Sequence, residues 1–204
     1  MNERTNHAVI DLLSEYVRCG LVQFGHFEKD TGVFWPVSFH FEMMPSFPKL
    51  LTETAHLLAP YFEITSERDR LLTMPDTIAL GAVISTQSGM PMLYPRRDEL
   101  RDFTAAFAIE GTADVGNPVT LLTDVLLNGK KELEIIALSE RVGLPVDRIV
   151  TLFDAEVSRD MALNKSKMRI EAGFTANEIV QNLSDQHEIT PTLTQTIREW
   201  TLTL

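Results

Sequence analysis

Apolar residues in the first quarter of the chain change from helical to strand-like spacing. Over residues 7–19 they recur every three or four positions, which predicts an amphipathic helix ending at Gly20. Residues 24–41 are rich in aromatic side chains and interrupted by glycine and proline, which predicts short antiparallel strands. A second helix is predicted from Ser46 to Ala59, because its apolar residues again share one face and Pro60 follows.

From residue 71 onward, short apolar runs alternate with helical patterns. Strands are predicted at residues 71–74, 90–94, 119–124 and 147–153, and helices at 77–87, 131–142, 175–184 and 194–201. This alternation indicates an α/β fold with a central parallel sheet of about five strands and helices on both faces. Residues 96–118 are polar and alanine-rich, which predicts a loop or hairpin beside the sheet.

Ligands of such sheets bind at the carboxyl ends of the strands. Those ends are predicted at residues 74–78, 95–101 and 124–131, and these three segments therefore form the expected mouth of a binding site.

The charge balance narrows the classes of partner. The chain of 204 residues has 18 basic and 29 acidic side chains and a net charge of −11, which disfavours nucleic acid and anionic membranes as partners. No apolar run approaches the about 20 residues needed to cross a bilayer, and the polar N-terminus does not resemble a signal peptide. Cys19 is the single cysteine, which excludes an internal disulfide. We therefore expect one cytoplasmic domain covering residues 1–204.

Residues 121–132 contain the clearest candidate chemistry. The segment changes from strand to tight turn to helix, and Gly129 precedes the helix. A helix N-terminus offers free amides and a positive dipole end to an anion, and Lys130 and Lys131 would add charge. Asp124 at the strand end could accept hydrogen bonds from sugar hydroxyls. The alternative is an ordinary strand-to-helix turn with two solvated lysines, which this segment alone leaves open.

Further segments carry a resemblance to a known family. Residues 24–32 read FGHFEKDTG, residues 91–97 read PMLYPRR, and residues 101–111 read RDFTAAFAIEG. With residues 119–131, they resemble in order the opening motif, the strand ending in a basic pair, the catalytic hood loop and the phosphoribosyl-diphosphate motif of the type I phosphoribosyltransferases. Among these, the chain is most similar to orotate phosphoribosyltransferase, over roughly residues 20–185.

The resemblance implies a fold and an activity. The expected fold is the type I phosphoribosyltransferase fold, with a small hood from about residues 20–45 and a flexible-loop equivalent at residues 96–112. Enzymes of this family transfer ribose 5-phosphate from phosphoribosyl diphosphate to orotate, with magnesium, and a homodimer is implied because the hood loop reaches the neighbouring subunit.

The resemblance also implies roles for individual residues. No side chain is expected to be a metal ligand. Asp124 and Arg101 fall on catalytic positions, and Lys29 and Phe39 on base-binding positions. The phosphate- and diphosphate-binding positions are Arg96, Arg97, Asn128, Gly129, Lys130 and Lys131.

Several positions depart from the family pattern. Thr123 replaces one acid of an adjacent pair, Leu127 replaces a hydroxyl residue, and Phe103 replaces the histidine of the hood. Asp76 stands in the loop that normally faces the diphosphate, where a carboxylate repels a polyanion. Ala155 occupies the position of an arginine that meets the base.

Two functions remain open from the sequence. One is a diverged homologue that binds a ribose phosphate or nucleotide, with weak or no orotate transfer and a regulatory or scaffold role. The other is an active magnesium-dependent phosphoribosyltransferase that uses orotate or another nucleobase.

Overall fold

The computed structural model describes residues 3–30, 33–96, 109–155, 163, 168–186 and 188–201. Six α-helices lie within this part of the chain: α1 (Glu3–Arg18), α2 (Pro48–Leu58), α3 (Ile78–Ser88), α4 (Lys130–Arg141), α5 (Ala176–Asp185) and α6 (Pro191–Thr201). Its strands are β1 (Val22–Asp30), β2 (Val33–Phe39), β3 (Arg70–Thr73), β4 (Met92–Pro95), β5 (Ile109–Glu110), β6 (Val119–Leu126), β7 (Val146–Asp154) and β8 (Arg169–Thr175).

The central sheet has six strands in the order β5-β4-β3-β6-β7-β8. Strands β4, β3, β6, β7 and β8 run parallel, and only β5 at the edge is antiparallel to its neighbour β4. The parallel strands therefore all end at one edge of the sheet. The predicted α/β class and parallel sheet are confirmed.

The hydrophobic core occupies both faces of the sheet. Successive residues of a strand point to opposite faces, so Leu71 and Leu122 belong to the cluster packed by α1, α2, α3, α5 and α6. Leu72 and Leu121 belong to the cluster on the other face, which also contains Ile135 of α4. With both faces covered, β6 lacks the regular polar-apolar alternation of a half-exposed strand, as its sequence indicated.

Strands β1 and β2 form a separate antiparallel hairpin, which confirms the strands predicted at residues 24–41. Helix α6 packs against this hairpin, where the rings of Trp35 and Trp200 lie 5.3 Å apart. A 3-10 helix, Phe41–Ser46, follows the hairpin and leads into α2. It lies against the short 3-10 helix Pro75–Thr77 at the end of β3, so the hairpin is connected to the edge where the parallel strands end.

Strand β8 was not among the strands located from the sequence. It pairs in parallel with β7 from Arg148↔Arg169 to Asp154↔Thr175. Most of its side chains are only partly buried, so the segment lacks the continuous apolar run of an inner strand. The capping box that follows it is confirmed: Thr175 Oγ1 accepts a hydrogen bond from the Glu178 amide, and the Glu178 carboxylate accepts one from the Thr175 amide.

Candidate functional site

Three segments meet where β3, β6 and β7 end. They are Met74–Thr77 after β3, residues 127–129 after β6, and Asp154 with Ala155 at the end of β7. The register brings them together, because Met74 donates its amide to Leu122 and Leu126 of β6 lies beside Asp154 of β7. This edge is the mouth that the sequence predicted.

The segment between β6 and α4 has the backbone geometry of an anion cradle. Gly129 precedes α4 with φ +83°, a left-handed conformation that suits glycine, and no side chain caps the helix N-terminus. Lys130 and Lys131 are exposed in the first turn. The Asn128 side chain accepts a hydrogen bond from the Lys130 amide at 3.1 Å, so one amide of the cradle is already used.

Gly129 is also required by the packing beneath it. A Cβ at this position would lie 2.4 Å from Cδ2 of Leu163, a side chain that is 2% exposed. Another residue at position 129 would therefore be strained in its backbone, and its Cβ would clash with the Leu163 side chain.

Two carboxylates approach each other at this mouth. Asp124 near the end of β6 and Asp76 after β3 line the same narrow recess, together with Phe41 and Met44. Burial is the main cause of a raised pKa of the Asp124 carboxyl, and the charge of Asp76 adds to it. Lys131 and the Val125 amide, which donates to Asp124 at 2.7 Å, act in the opposite direction. The Asp76 side chain is exposed to solvent, although its segment after β3 forms part of the mouth.

A third carboxylate lies beneath the cradle, and sequence reasoning missed it. Glu132 in the first turn of α4 is 3% exposed, and its Oε1 accepts a hydrogen bond from Thr123 Oγ1 at 2.8 Å. By the resemblance, the family has an acid at the position of Thr123. Here a carboxylate lies beside that position, but it belongs to Glu132 of helix α4. The available signal was a threonine at the strand position with a glutamate nine residues later.

The basic residues predicted at the mouth are only partly described. Arg96 follows β4 and forms an ion pair with Glu110 of β5, Nε to Oε1 2.9 Å. Both side chains are well exposed, so the pair contributes little to stability. Residues 97–108 lie outside the described residues, and with them Arg97, Arg101 and Phe103. The pairing of β4 with β5 places the two ends of this segment side by side.

The predicted base-binding residues lie on the hairpin. Lys29 is in β1, and its side chain is outside the described part of the structure. Phe39 ends β2, and its ring lies 4.6 Å from the ring of Phe153 and 6.0 Å from that of Phe41. Phe153 is near the end of β7, so an aromatic group adjoins the mouth. Sequence reasoning missed Phe153 because an apolar residue in a buried strand is indistinguishable from core.

Among the described residues, no group of three His, Cys, Asp or Glu side chains could hold a metal ion.

The chain is similar in sequence to orotate phosphoribosyltransferases, although no protein-family model matches it. It is 26% identical over 193 residues to orotate phosphoribosyltransferase of Chlamydia caviae, which covers 92% of this chain and 89% of that protein. It is 26% identical over 180 residues to the bifunctional enzyme PyrF/PyrE of Nostoc sp., covering 87% of this chain and 37% of that protein. The chain thus spans little more than a third of that bifunctional relative.

Solved structures agree with the sequence comparison. UMP synthase of Leishmania donovani superposes with a TM-score of 0.82 and 25% identity, covering 95% of this chain and 42% of that one. Orotate phosphoribosyltransferase of Mycobacterium tuberculosis in complex with phosphoribosyl diphosphate has a TM-score of 0.63 and 15% identity, covering 84% of this chain and 98% of that one. The chain has the type I phosphoribosyltransferase fold and is orotate phosphoribosyltransferase-like.

This likeness favours the first of the two interpretations of residues 121–132, in which the segment after β6 is a phosphoribosyl-diphosphate motif. That assignment stays a prediction. No helix in the described part of the chain is long and apolar enough to cross a membrane.

Proposed function

We propose that this chain binds a phosphorylated ribose, as phosphoribosyl diphosphate or a nucleotide, with weak or no transfer to orotate. The observation that carries the proposal is the β6–α4 connection. It keeps a left-handed Gly129, an uncapped helix N-terminus and two exposed lysines beside Asp124. Together these groups suit a 5-phosphate on the amides and ribose hydroxyls on the carboxylate.

The charges around the mouth support the expectation of weak transfer. Asp76 and Asp124 line one narrow recess at the mouth, and like charges a few ångströms apart oppose a bound polyanion unless a cation lies between them. Leu127 has no side-chain hydrogen bond to give, and Asn128 already uses the Lys130 amide. Catalysis by this family depends on groups aimed at developing charge, so each of these differences lowers the expected rate.

The second candidate is an active magnesium-dependent transferase that uses orotate or another nucleobase. It is favoured by the aromatic group of Phe39, Phe41 and Phe153, because flat rings at the mouth suit a planar base. In this candidate Asp124, Arg96, Arg97 and Arg101 take the roles that the resemblance implies, and Lys29 with Phe39 meets the base.

Two measurements on the same protein separate the candidates. Calorimetry with ribose 5-phosphate and with magnesium phosphoribosyl diphosphate tests binding, and pyrophosphate release with orotate, uracil, adenine and hypoxanthine tests transfer. Binding without release is expected. Asp124→Asn should weaken binding about tenfold or more through the lost charged hydrogen bonds, whereas Asp147→Asn on an exposed position of β7 should not. Steady release with orotate at an ordinary enzymatic rate would establish the second candidate, and a flat titration at millimolar ligand would refute both.

The proposed assembly is a homodimer, with a regulatory or scaffold role if transfer is absent. The hairpin and the segment at residues 97–108 are the parts that a second subunit would complete, by the resemblance to the family. Light scattering in the presence and absence of phosphoribosyl diphosphate tests this, and a monomer at micromolar concentration in both states would exclude it.

A further inference from the structure

The buried carboxylate of Glu132 is unusual for its position. It lies in the first turn of α4 and is 3% exposed, and its one hydrogen-bond donor from another residue in the described part of the chain is the Thr123 hydroxyl at 2.8 Å. No ion pair joins it to a basic side chain in the described part of the chain. Buried carboxylates are normally paired or bound to several donors, so Glu132 is held in its ionised form by little.

Glu132 and the proposed phosphate would share one helix turn. The amides that would receive a phosphate belong to residues 128–131, and one turn of helix rises about 5.4 Å. The dipole of α4 that attracts a ligand anion therefore already stabilises the Glu132 carboxylate. A phosphate placed on those amides would repel that carboxylate across a short and poorly hydrated distance.

The surrounding charges do not remove this conflict. Burial raises the pKa of the Glu132 carboxyl, Asp124 on β6 raises it further, and Lys131 on α4 and the Thr123 hydroxyl lower it. On β7, which also packs against α4, the ionisable side chain at the carboxyl end is Asp154, another acid. A further negative charge at the cradle acts in the same direction as burial.

We infer that Glu132 takes up one proton from solvent when a phosphate group binds at the N-terminus of α4. This inference rests on the proposed function and makes Glu132 a positioning residue of the cradle. Protonated Glu132 no longer repels the ligand and can return a hydrogen bond to Thr123. Ligand affinity is then coupled to pH through a side chain that the ligand does not touch.

The test is calorimetry of ribose 5-phosphate binding near pH 7.5 in buffers of different ionisation enthalpy. The slope of the observed heat against that enthalpy counts the protons taken up. We expect net proton uptake in the wild-type chain and the same uptake in the control Glu134→Gln, which changes an exposed acid of the same helix. Glu132→Gln should show no such uptake. The ratio of the ribose 5-phosphate affinities of the wild-type chain and Glu132→Gln should change by up to about tenfold per pH unit. The ionisation of the ligand is the same for both proteins and cancels in that ratio.

The outcomes separate this inference from the proposed function. Binding with equal proton uptake in the wild-type chain and Glu132→Gln would overturn the inference and leave the function standing. Absence of binding to the wild-type chain would overturn the function itself. The wild-type proton count does not require any variant to fold.

Discussion

Gly81 lies where α3 approaches β3 most closely, and its replacement by alanine gives a sharp test of the fold beside the site. A Cβ at position 81 would lie 2.2 Å from Cγ2 of Thr73 and 3.2 Å from Sδ of Met92. Thr73 is completely buried, and its branched side chain has few rotamers, so the methyl group cannot simply turn away. Relief must come from moving α3, which begins two residues after Asp76.

Two opposed effects determine how Gly81→Ala changes the free energy of unfolding. The contact is about 1.3 Å shorter than the optimal carbon separation of about 3.5 Å, and such overpacking costs about 1–3 kcal/mol. Alanine gains up to about 1 kcal/mol over glycine inside a helix. Gly81→Ala is therefore expected to destabilise the protein by about 1–2 kcal/mol. In a Thr73→Ser background, which lacks Cγ2, the same change should stabilise it by about 0.5–1 kcal/mol.

Urea unfolding of the four proteins measures this change of sign. Ala82→Gly provides the control, because Ala82 is exposed on the same helix and should cost about 1 kcal/mol in both backgrounds. If the effects of Gly81→Ala and Thr73→Ser add to within about 0.5 kcal/mol, the two residues are not in contact and the placement of α3 on β3 is wrong.

Three further predictions concern the cradle and the core. Gly129→Ala should lower stability by about 2–4 kcal/mol in thermal unfolding, because it combines left-handed strain with the Leu163 contact, and it should abolish ribose 5-phosphate binding; unchanged binding would contradict the cradle. Tyr16→Phe should cost only about 1 kcal/mol, because it removes one hydrogen bond to Thr54, whose hydroxyl also donates to Leu50; a loss above about 3 kcal/mol would contradict this. Burial raises the folded-state pKa of the Glu132 carboxyl above its unfolded value of about 4.3, so its contribution to stability is present below that value and lost as pH rises through the folded pKa; Glu132→Gln should therefore gain stability over wild type as pH rises above about 4.3, and a pH-independent difference would count against it.

The sequence predicted the fold well where local pattern and burial agree. The apolar run at residues 119–122 indicates a strand, and the Asn128-Gly129 turn indicates the start of a helix. Strand β6 and helix α4 form at these places. Strand β8 was missed because Arg169, Glu171 and Gly173 break any apolar run, and its stability depends on pairing with β7. An edge strand of this kind is specified by its neighbour more than by its own residues.

The sequence predicted the backbone elements of the candidate site, but it did not predict the contacts of the side chains around it. Asp124 lies near the end of β6 and Gly129 directly precedes α4, as the strand-to-helix pattern predicted, and the roles that the resemblance implies for them stay predictions. The burial of Glu132 against Thr123 depends on the packing of α4 on β6, and the pairing of Arg96 with Glu110 depends on β5, so neither follows from motif spacing. The sequence had already placed Asp76 at the mouth, and the structure adds that it lines one recess with Asp124.

The claim that the N-terminus of α4 holds the phosphate of a phosphorylated ribose is tested most directly by a crystal structure of the chain grown with ribose 5-phosphate. Phosphate density on the amides of residues 128–131, with ribose hydroxyls within hydrogen-bond distance of Asp124, is the expected result. An empty cradle beside a ligand bound elsewhere, or a cradle closed by side chains at saturating ligand, would contradict it.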